Sequence, residues 1–208
     1  MKMRFLLIIA FFFFTLMNNS IEAASDNSTP AFREIVWGIC HPFIAIKVKN
    51  ISRRSMFVTD SIGKERVLLD KSGGNLDAFK HSFWMASLSQ NIKEKKARKI
   101  GIIHEKVNYK QHKKALRKGK CVQDSTASVM DLRNNDVGIS IGIKNKNIQE
   151  SELIKKVIFA VENGKLFIVS KDKKGNYLDC NGEIIVNKDC KWNKGRCLVK
   201  SGNMGEHK

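Results

Sequence analysis

The stretch that decides the fold is NLDAFKHSFW, residues 75–84. Its apolar side chains recur with the spacing of a helix that packs one face into a core. They are Leu76, Phe79 and Phe83, continued by Ala86. Asn75 favours the N-cap position, so we predict that the helix begins there. A second stripe beside the apolar one carries Asp77, His81 and Trp84. The helix therefore offers both a core face and a candidate site.

The same period predicts helices on either side of this stretch. They cover residues 32–45, 47–62, 94–108 and 125–142, with a further one that ends at Asn163-Gly164. Pro42 is expected to end or bend the first of them. After Lys165 the period becomes that of short strands, with a first hairpin of 165–170 and 177–179. We predict a mainly α fold: a helical core of about five to six helices with a small C-terminal antiparallel β-hairpin region.

The N-terminus has the pattern of a secretory signal peptide. Lys2 and Arg4 precede an uncharged run that ends at Phe14, and small residues follow at 23–25. We predict a secreted or periplasmic protein, with a membrane anchor as the alternative. The apolar run is shorter than the ~20 residues that span a bilayer, so the mature chain is predicted to have no transmembrane segment. The predicted organisation is a signal peptide (1–24), a helical domain with the site (25–164), a β appendage (165–200) and a disordered tail (201–208).

The composition is strongly basic. The chain has 38 Lys and Arg residues against 20 Asp and Glu residues, a formal net charge of +18. A positive field of this size attracts polyanions, so the predicted partner is an anionic polymer, such as nucleic acid, or a phospholipid surface. Few aromatic residues stand among the lysines, which argues against a stacking platform for single strands. A lysine-rich surface that only aids solubility is the alternative, and the pattern favours no particular oligomeric state.

Five cysteines stand in the chain: Cys40, Cys121, Cys180, Cys190 and Cys197. Export to an oxidising compartment allows disulfides. Because three of the five cluster near the C-terminus, we expect one local bridge there, with a Cys40–Cys121 bridge as a long-range alternative. A structural zinc site is the weaker hypothesis, since the C-terminal cysteines contain no CxxC pair.

Asp77 and His81 are four residues apart, so a helix places them on one face. A carboxylate beside an imidazole orients the ring and raises its basicity, as a general base or a metal ligand needs. Lys80 and Trp84 flank the pair and are predicted to contact the substrate. The structural alternatives are an acid that favours the helix dipole and a hydrogen-bonded core histidine.

His104-Glu105 is a second candidate segment. His104 falls on the apolar face of its predicted helix, so it must find a partner or lie at the rim of a cleft. Glu105 can face the same edge of that cleft. The zinc-protease pattern HExxH is excluded, because Asn108 stands where its second histidine belongs.

A polar stripe runs along the helix predicted over 125–142. It consists of Asp131, Asn134, Asn135 and Gly138. All four are poor helix formers, and together they cost roughly 2 kcal/mol against alanine. Such a penalty often marks a site or a tight polar contact, and a glycine lets a backbone or a ligand approach closely. The stripe predicts either a polar clasp between helices, with Asp131 bonded to His81 or His104, or an active site, and the two are compatible.

Taken in order, these motifs resemble an uncharacterised bacterial domain with the patterns DAxRHxxW, HE and MDLxNNxxG, followed by a helix and a strand near NGKLFIV. The resemblance covers about residues 70–170. It implies export and an association with polymorphic toxins of the Rhs type. Lys80 and Ile139 stand where the family usually has arginine, which weighs against a bidentate arginine clamp on an anionic group in this chain.

Two functions follow as hypotheses. The first is an exported hydrolase, with a toxin or effector role as one version of it, that acts on phospholipid or nucleic acid as an anionic substrate. His81 or His104 is then the general base, oriented by a carboxylate, and the two asparagines hold the substrate or the water. A divalent metal held by the His and Asp residues is a variant. The second is a basic binding module in which the same groups form a structural hydrogen-bond network. The candidate residues are Asp77, His81, His104, Glu105 and Asp131 for catalysis, and Lys80, Trp84, Asn134 and Asn135 for substrate binding.

Overall fold

The computed structural model describes residues 32–120, 124–185, 191–193 and 195–202. It contains six helices and two strands among these residues. They are α1 (Phe32–Cys40), α2 (Pro42–Lys64), α3 (Asn75–Asn91), α4 (Glu94–Leu116), α5 (Ser125–Lys144), α6 (Glu150–Glu162), β1 (Phe167–Val169) and β2 (Leu198–Lys200). The mainly α fold with a small antiparallel sheet is therefore confirmed. The predicted signal peptide over 1–24 lies outside the described residues.

Several helix boundaries differ from the sequence prediction. Pro42 begins α2 rather than ending a helix, because proline lacks an N–H that the first turn does not need. α4 continues past Asn108 to Leu116. Asp124 caps α5, and its Oδ1 accepts from the Ala127 N–H at 3.0 Å. The predicted helices are thus present, but local polar contacts set their ends.

The C-terminal segment corrects one prediction. Ser201 was expected to start a disordered tail, yet it is buried and its hydroxyl donates to the Val161 carbonyl at 2.8 Å. Gly202 exchanges two hydrogen bonds with the side chain of Asn75, at 2.9 and 3.2 Å. Asn75 therefore anchors the end of the described chain, whereas Gly74 takes the N-cap position of α3. The rest of the predicted tail, 203–208, lies outside the described residues.

The chain divides into two compact units, one up to Ala45 and one from Ile46 onward. In the first, the His41 ring stacks on Trp37 with 4.8 Å between centroids, and its Nδ1 donates to the Trp37 carbonyl at 3.1 Å. The second unit holds α3 to α6, the sheet and every candidate site residue.

α3 is the centre of the second unit, buried on most of its surface. Its apolar stripe packs into a core shared with α2, α6 and β1. The core comprises Val58, Ile62, Leu68, Leu76, Ala78, Phe79, Phe83, Ala86, Leu153, Val157, Ala160, Val161, Leu166 and Ile168. This confirms the predicted core face and leaves the polar stripe of α3 to face α4 and α5.

Two glycines let α5 lie directly against α3. A Cβ on Gly138 would lie 2.2 Å from the Ser82 carbonyl oxygen, and one on Gly142 would lie 2.2 Å from the Ala86 carbonyl oxygen. No side chain fits at such separations, so glycine is required at both positions. The close approach that the sequence suggested at Gly138 is an approach of backbone.

The sheet pairs β1 with β2 in antiparallel register, with Ile168 opposite Val199. The predicted hairpin partner, 177–179, instead makes isolated bridges through Tyr177 and Leu178. A disulfide joins Cys180 to Cys197, which confirms a local bridge near the C-terminus. Cys40 is a free, exposed cysteine, so the Cys40–Cys121 alternative is wrong; Cys121 and Cys190 lie outside the described residues.

Candidate active site

The packing of α3 against α5 brings Asp77, His81 and Asp131 together. His81 Nε2 lies 3.3 Å from Asp131 Oδ1 and 3.8 Å from Asp77 Oδ1. One ligand atom from each residue lies within 4.8 Å of the others. All three side chains are buried. We call these three residues the acid–imidazole cluster.

Asp77 is held from two sides. Its Oδ2 accepts from the Gly73 backbone N–H at 2.8 Å, and its Oδ1 accepts from Lys80 Nζ at 2.5 Å. Gly73 was not among the predicted site residues. Because backbone and ammonium fix the carboxylate, Oδ1 stays directed toward the imidazole.

The His81 ring is buried, with 4% of its surface exposed. Burial, followed by the charges of Lys80 and His104, holds the pKa of His81 well below its usual range, whereas the nearby amide of Asn135 acts to raise it. The imidazole is therefore neutral at neutral pH. The carboxylates beside Nε2 favour the tautomer with its proton on Nε2, and Nδ1 has no hydrogen-bond partner in the described structure.

Lys80 brings a positive charge to the cluster. Burial lowers the pKa of its ammonium, but three carboxylates outweigh that effect and raise the pKa above its usual value. They are Asp77, Asp131 and Glu105. The side chain keeps 41% of its surface exposed, so Lys80 links the buried carboxylates to solvent.

His104 and Trp84 lie beside the cluster and are half-buried. The His104 ring is 6.2 Å from the His81 ring and 5.4 Å from the Trp84 ring, centroid to centroid. Trp84 Nε1 donates to Ser52 Oγ at 2.9 Å, a partner that the sequence did not indicate. With Lys80, these residues form the rim of the site.

Glu105 is buried one position from His104. Burial raises the pKa of its carboxyl above the usual value, although neighbouring groups act in the opposite direction: His104, Ser128, Asn108 and Lys80. Asn108 Nδ2 donates to both carboxylate oxygens, at 3.2 and 3.3 Å. The residue that excluded the zinc-protease pattern thus supports the carboxylate instead.

Asn134 faces away from the cluster. Its amide donates to the Phe167 carbonyl and accepts from the Phe167 N–H, both at 2.8 Å, and its own carbonyl accepts from Ser82 Oγ at 2.9 Å. Asn134 therefore ties β1 and α3 to α5, as the clasp hypothesis expects. Its predicted contact with substrate stays a prediction. Both atoms of the amide that would make this contact already bond to Phe167.

Asn135 is placed differently. It is buried, with 3% of its surface exposed, and neither amide atom makes a hydrogen bond of normal geometry in the described structure, although the amide is close enough to His81 to raise the pKa of that ring. The amide lies near His81 and against α4, where a Cβ on Gly101 would lie 2.9 Å from Asn135 Nδ2. Gly101 was not predicted, since a lone glycine within a helix pattern carries no specific signal.

The structure thus brings together eight of the nine candidate residues and separates Asn134 from them. A surface cavity of about 190 Å³ lies elsewhere on α4 and α5 and shares no residue with the cluster. Its lining includes Glu94, Arg98 and Asp136. Arg98 pairs with both acids, so this cavity is a salt-bridged surface feature.

Comparisons with known proteins add one match. The model of a family described as a domain of unknown function (DUF6973) matches residues 35–165, a span that starts within α1 and contains the whole acid–imidazole cluster. No curated protein and no solved structure matches the chain. Within the described part of the chain, every helix is too short or too polar to cross a bilayer.

Proposed function

The chain belongs to the DUF6973 family, and we propose that it is a hydrolase that acts on an anionic substrate at the acid–imidazole cluster. One observation carries the proposal. A buried neutral imidazole, His81, faces carboxylates on two helices, and a lysine ammonium and a second imidazole lie at the half-buried edge. Ionisable groups that cluster on core-facing surfaces, where their desolvation is unfavourable, are typical of catalytic sites.

The rim supplies groups that can reach a substrate. His104 is half-buried, so its imidazole can take a proton from water as the water oxygen bonds to the carbonyl carbon or the phosphorus of an ester. The bond to the leaving oxygen then breaks, and that oxygen receives the proton from His104. Lys80 stabilises the negative charge that develops on the attacked group. His81, whose Nε2 faces the two carboxylates, packs beside His104 and helps to position this rim residue.

The charge of the chain supports an anionic substrate. With a net charge of +18, the protein attracts phosphate-bearing polymers and surfaces, and Lys80 places one positive charge at the site itself. Phospholipid and nucleic acid both carry ester bonds next to such charges. The N-terminal pattern and the resemblance to toxin-associated domains support an exported effector that meets these substrates outside the producing cell.

The proposal is tested with purified protein on anionic phospholipid vesicles and on DNA and RNA, with released fatty acid or fragments as the readout. His104→Ala should lose at least ~100-fold in rate while its melting temperature stays near that of the wild type, because the ring is half-buried. His41→Ala is the matched control, since His41 is also half-buried but lies in the other unit.

Two results contradict the proposal. One is hydrolysis that His104→Ala and His81→Ala both leave unchanged. The other is a protein that hydrolyses none of these substrates when purified in folded form. If His81→Ala only unfolds, His104→Ala decides, because the rim residue carries little of the packing.

A binding module is the second candidate, and the burial of the cluster favours it. His81 and Asp131 are almost entirely sealed, and a sealed network ties α3 to α5 without any contact with substrate. In that case His104→Ala leaves binding to anionic vesicles or nucleic acid intact, and no substrate is turned over. Cosedimentation with vesicles and an electrophoretic shift assay measure this binding.

A further inference from the structure

The ligand atoms of the acid–imidazole cluster have the spacing of groups around one metal ion. Zinc bonds of about 2.0–2.2 Å to His nitrogen and Asp oxygen place neighbouring ligand atoms roughly 3.3–3.6 Å apart in a tetrahedron. The distances from His81 Nε2 to the two aspartates are 3.3 and 3.8 Å, and all three atoms fall within 4.8 Å. Small side-chain shifts therefore suffice to give all three residues one common ligand.

We propose that Asp77, His81 and Asp131 bind a divalent transition-metal ion of the zinc class. An imidazole nitrogen with two carboxylate oxygens is a donor set that zinc accepts, whereas magnesium and calcium favour oxygen ligands alone. Three protein ligands leave a fourth position open, as in catalytic rather than structural zinc sites. The inference rests on the same site as the proposed hydrolase and names the ion that this site takes.

Asn135 gives the independent observation. When a metal takes the lone pair of His81 Nε2, the ring proton moves to Nδ1 and needs an acceptor. Nδ1 has no hydrogen-bond partner in the described structure, and neither has either amide atom of the buried Asn135 near the same ring. Asn135 Oδ1 is therefore placed to accept from Nδ1, the second layer of contacts that orients a metal-bound histidine. Metal binding gives both groups a partner.

Lys80 is the competitor for the ion. Its ammonium lies 2.5 Å from Asp77 Oδ1, one of the three proposed ligand atoms. A metal on this oxygen displaces the ammonium, and the partly exposed Lys80 side chain can turn toward water. Removal of the lysine charge should therefore tighten metal binding, whereas loss of either aspartate should weaken it.

The test is titration of the purified protein with zinc chloride by calorimetry, together with elemental analysis after dialysis. A Cys40→Ser background removes the exposed thiol. We expect one zinc ion per chain at this site. Asp77→Asn and Asp131→Asn should weaken affinity at least ~100-fold, and Asn135→Ala about 10-fold. Lys80→Gln should bind several-fold more tightly, and Lys71→Gln, which breaks an exposed pair with Asp60, should bind as the parent does.

Circular dichroism verifies that each variant is folded. If Asp131→Asn does not fold, then Asp77→Asn and Lys80→Gln decide. Zinc uptake that both of these leave unchanged, or no uptake by the parent protein, overturns the inference. Zinc binding without turnover of any substrate refutes the hydrolase and leaves the metal site standing. If turnover persists in protein stripped of zinc, the hydrolase stands and a catalytic role of the ion is refuted.

Discussion

Two adjacent asparagines on α5 have opposite surroundings. Asn134 makes two hydrogen bonds with the Phe167 backbone through its amide, and its carbonyl accepts from Ser82. Asn135, one position along the helix and equally buried, has an amide without a hydrogen-bond partner in the described structure. A one-residue step turns the side chain by about 100°, from the sheet toward α4 and His81. The two residues thus belong to two regions with different purposes.

The first region is a clasp, made of Asn134, Ser82, Gly138 and Gly142. Its polar groups are paired and its glycines place two backbones in contact, so folding alone accounts for its composition. The second region is the acid–imidazole cluster with Asn135. There, His81 Nδ1 and a whole amide are buried without partners, at a cost of about 1–3 kcal/mol for each group. Because folding alone does not account for buried polar groups without partners, we place the functional site in this second region.

Gly138→Ala should have the largest effect, because it breaks the clasp. The new Cβ would lie 2.2 Å from the Ser82 carbonyl oxygen and 2.8 Å from the Ser82 Cα, and backbone cannot turn aside as a side chain can. We expect a loss of roughly 3 kcal/mol or more in the free energy of unfolding, measured by urea denaturation.

Gly101→Ala is the matched change on the cluster side. Its Cβ would lie 2.9 Å from Asn135 Nδ2, the end of a side chain with no partner to lose. Alanine gains about 1 kcal/mol in helix propensity, so stability should change little. If Gly101→Ala destabilises as much as Gly138→Ala, the two regions do not differ in the way described.

The asparagine pair gives the next largest effect. Asn134→Ala leaves the Phe167 N–H and carbonyl without their partners, and we expect a loss of about 2–4 kcal/mol. Asn135→Ala removes a buried amide that makes no hydrogen bond, so the relieved cost offsets the lost packing and the free energy of unfolding should change by less than about 1 kcal/mol. Thermal and urea unfolding of both variants measure the difference, and equal losses would remove the basis for separating clasp from site.

The sequence carried the fold well because the decisive signals are local. The apolar spacing through Leu76, Phe79 and Phe83 identifies the core face of α3, and the structure buries all three. The pairing of Asp77 with His81 follows from helix geometry alone. The same holds for Gly138, whose small size predicts a close approach. Each of these features depends on residues within one helix.

Features set by distant partners could not be predicted in the same way. Two identical residues, Asn134 and Asn135, give the same local signal, and only the position of Phe167 separates their roles. A short strand was expected at 196–200, but its pairing with β1 was missed, because the sequence favoured the nearby segment 177–179 as the partner and β2 follows a long connection. Gly73 shapes the site through its backbone N–H, and Gly101 through the space that its missing side chain leaves. A sequence pattern indicates neither contribution.

Glu105 lies between these two kinds of feature: the sequence identified it as a candidate, but its burial depends on distant partners. It gives the prediction with the smallest expected effect. Burial raises the pKa of its carboxyl, so the folded state favours the protonated form. That contribution is fully present below the unfolded pKa, near 4.5, and is lost as the pH rises through the raised folded value. Glu105→Gln should therefore be more stable than the wild type at pH 7–8, with a difference that shrinks as the pH falls toward about 4.5, by at most ~1.4 kcal/mol per pH unit. Melting temperatures across this range measure it, with Glu152→Gln as the control because Glu152 is exposed and pairs with Lys155. A Gln variant that is less stable at every pH would show instead that the ionised carboxylate, beside His104 and Lys80, contributes to the fold.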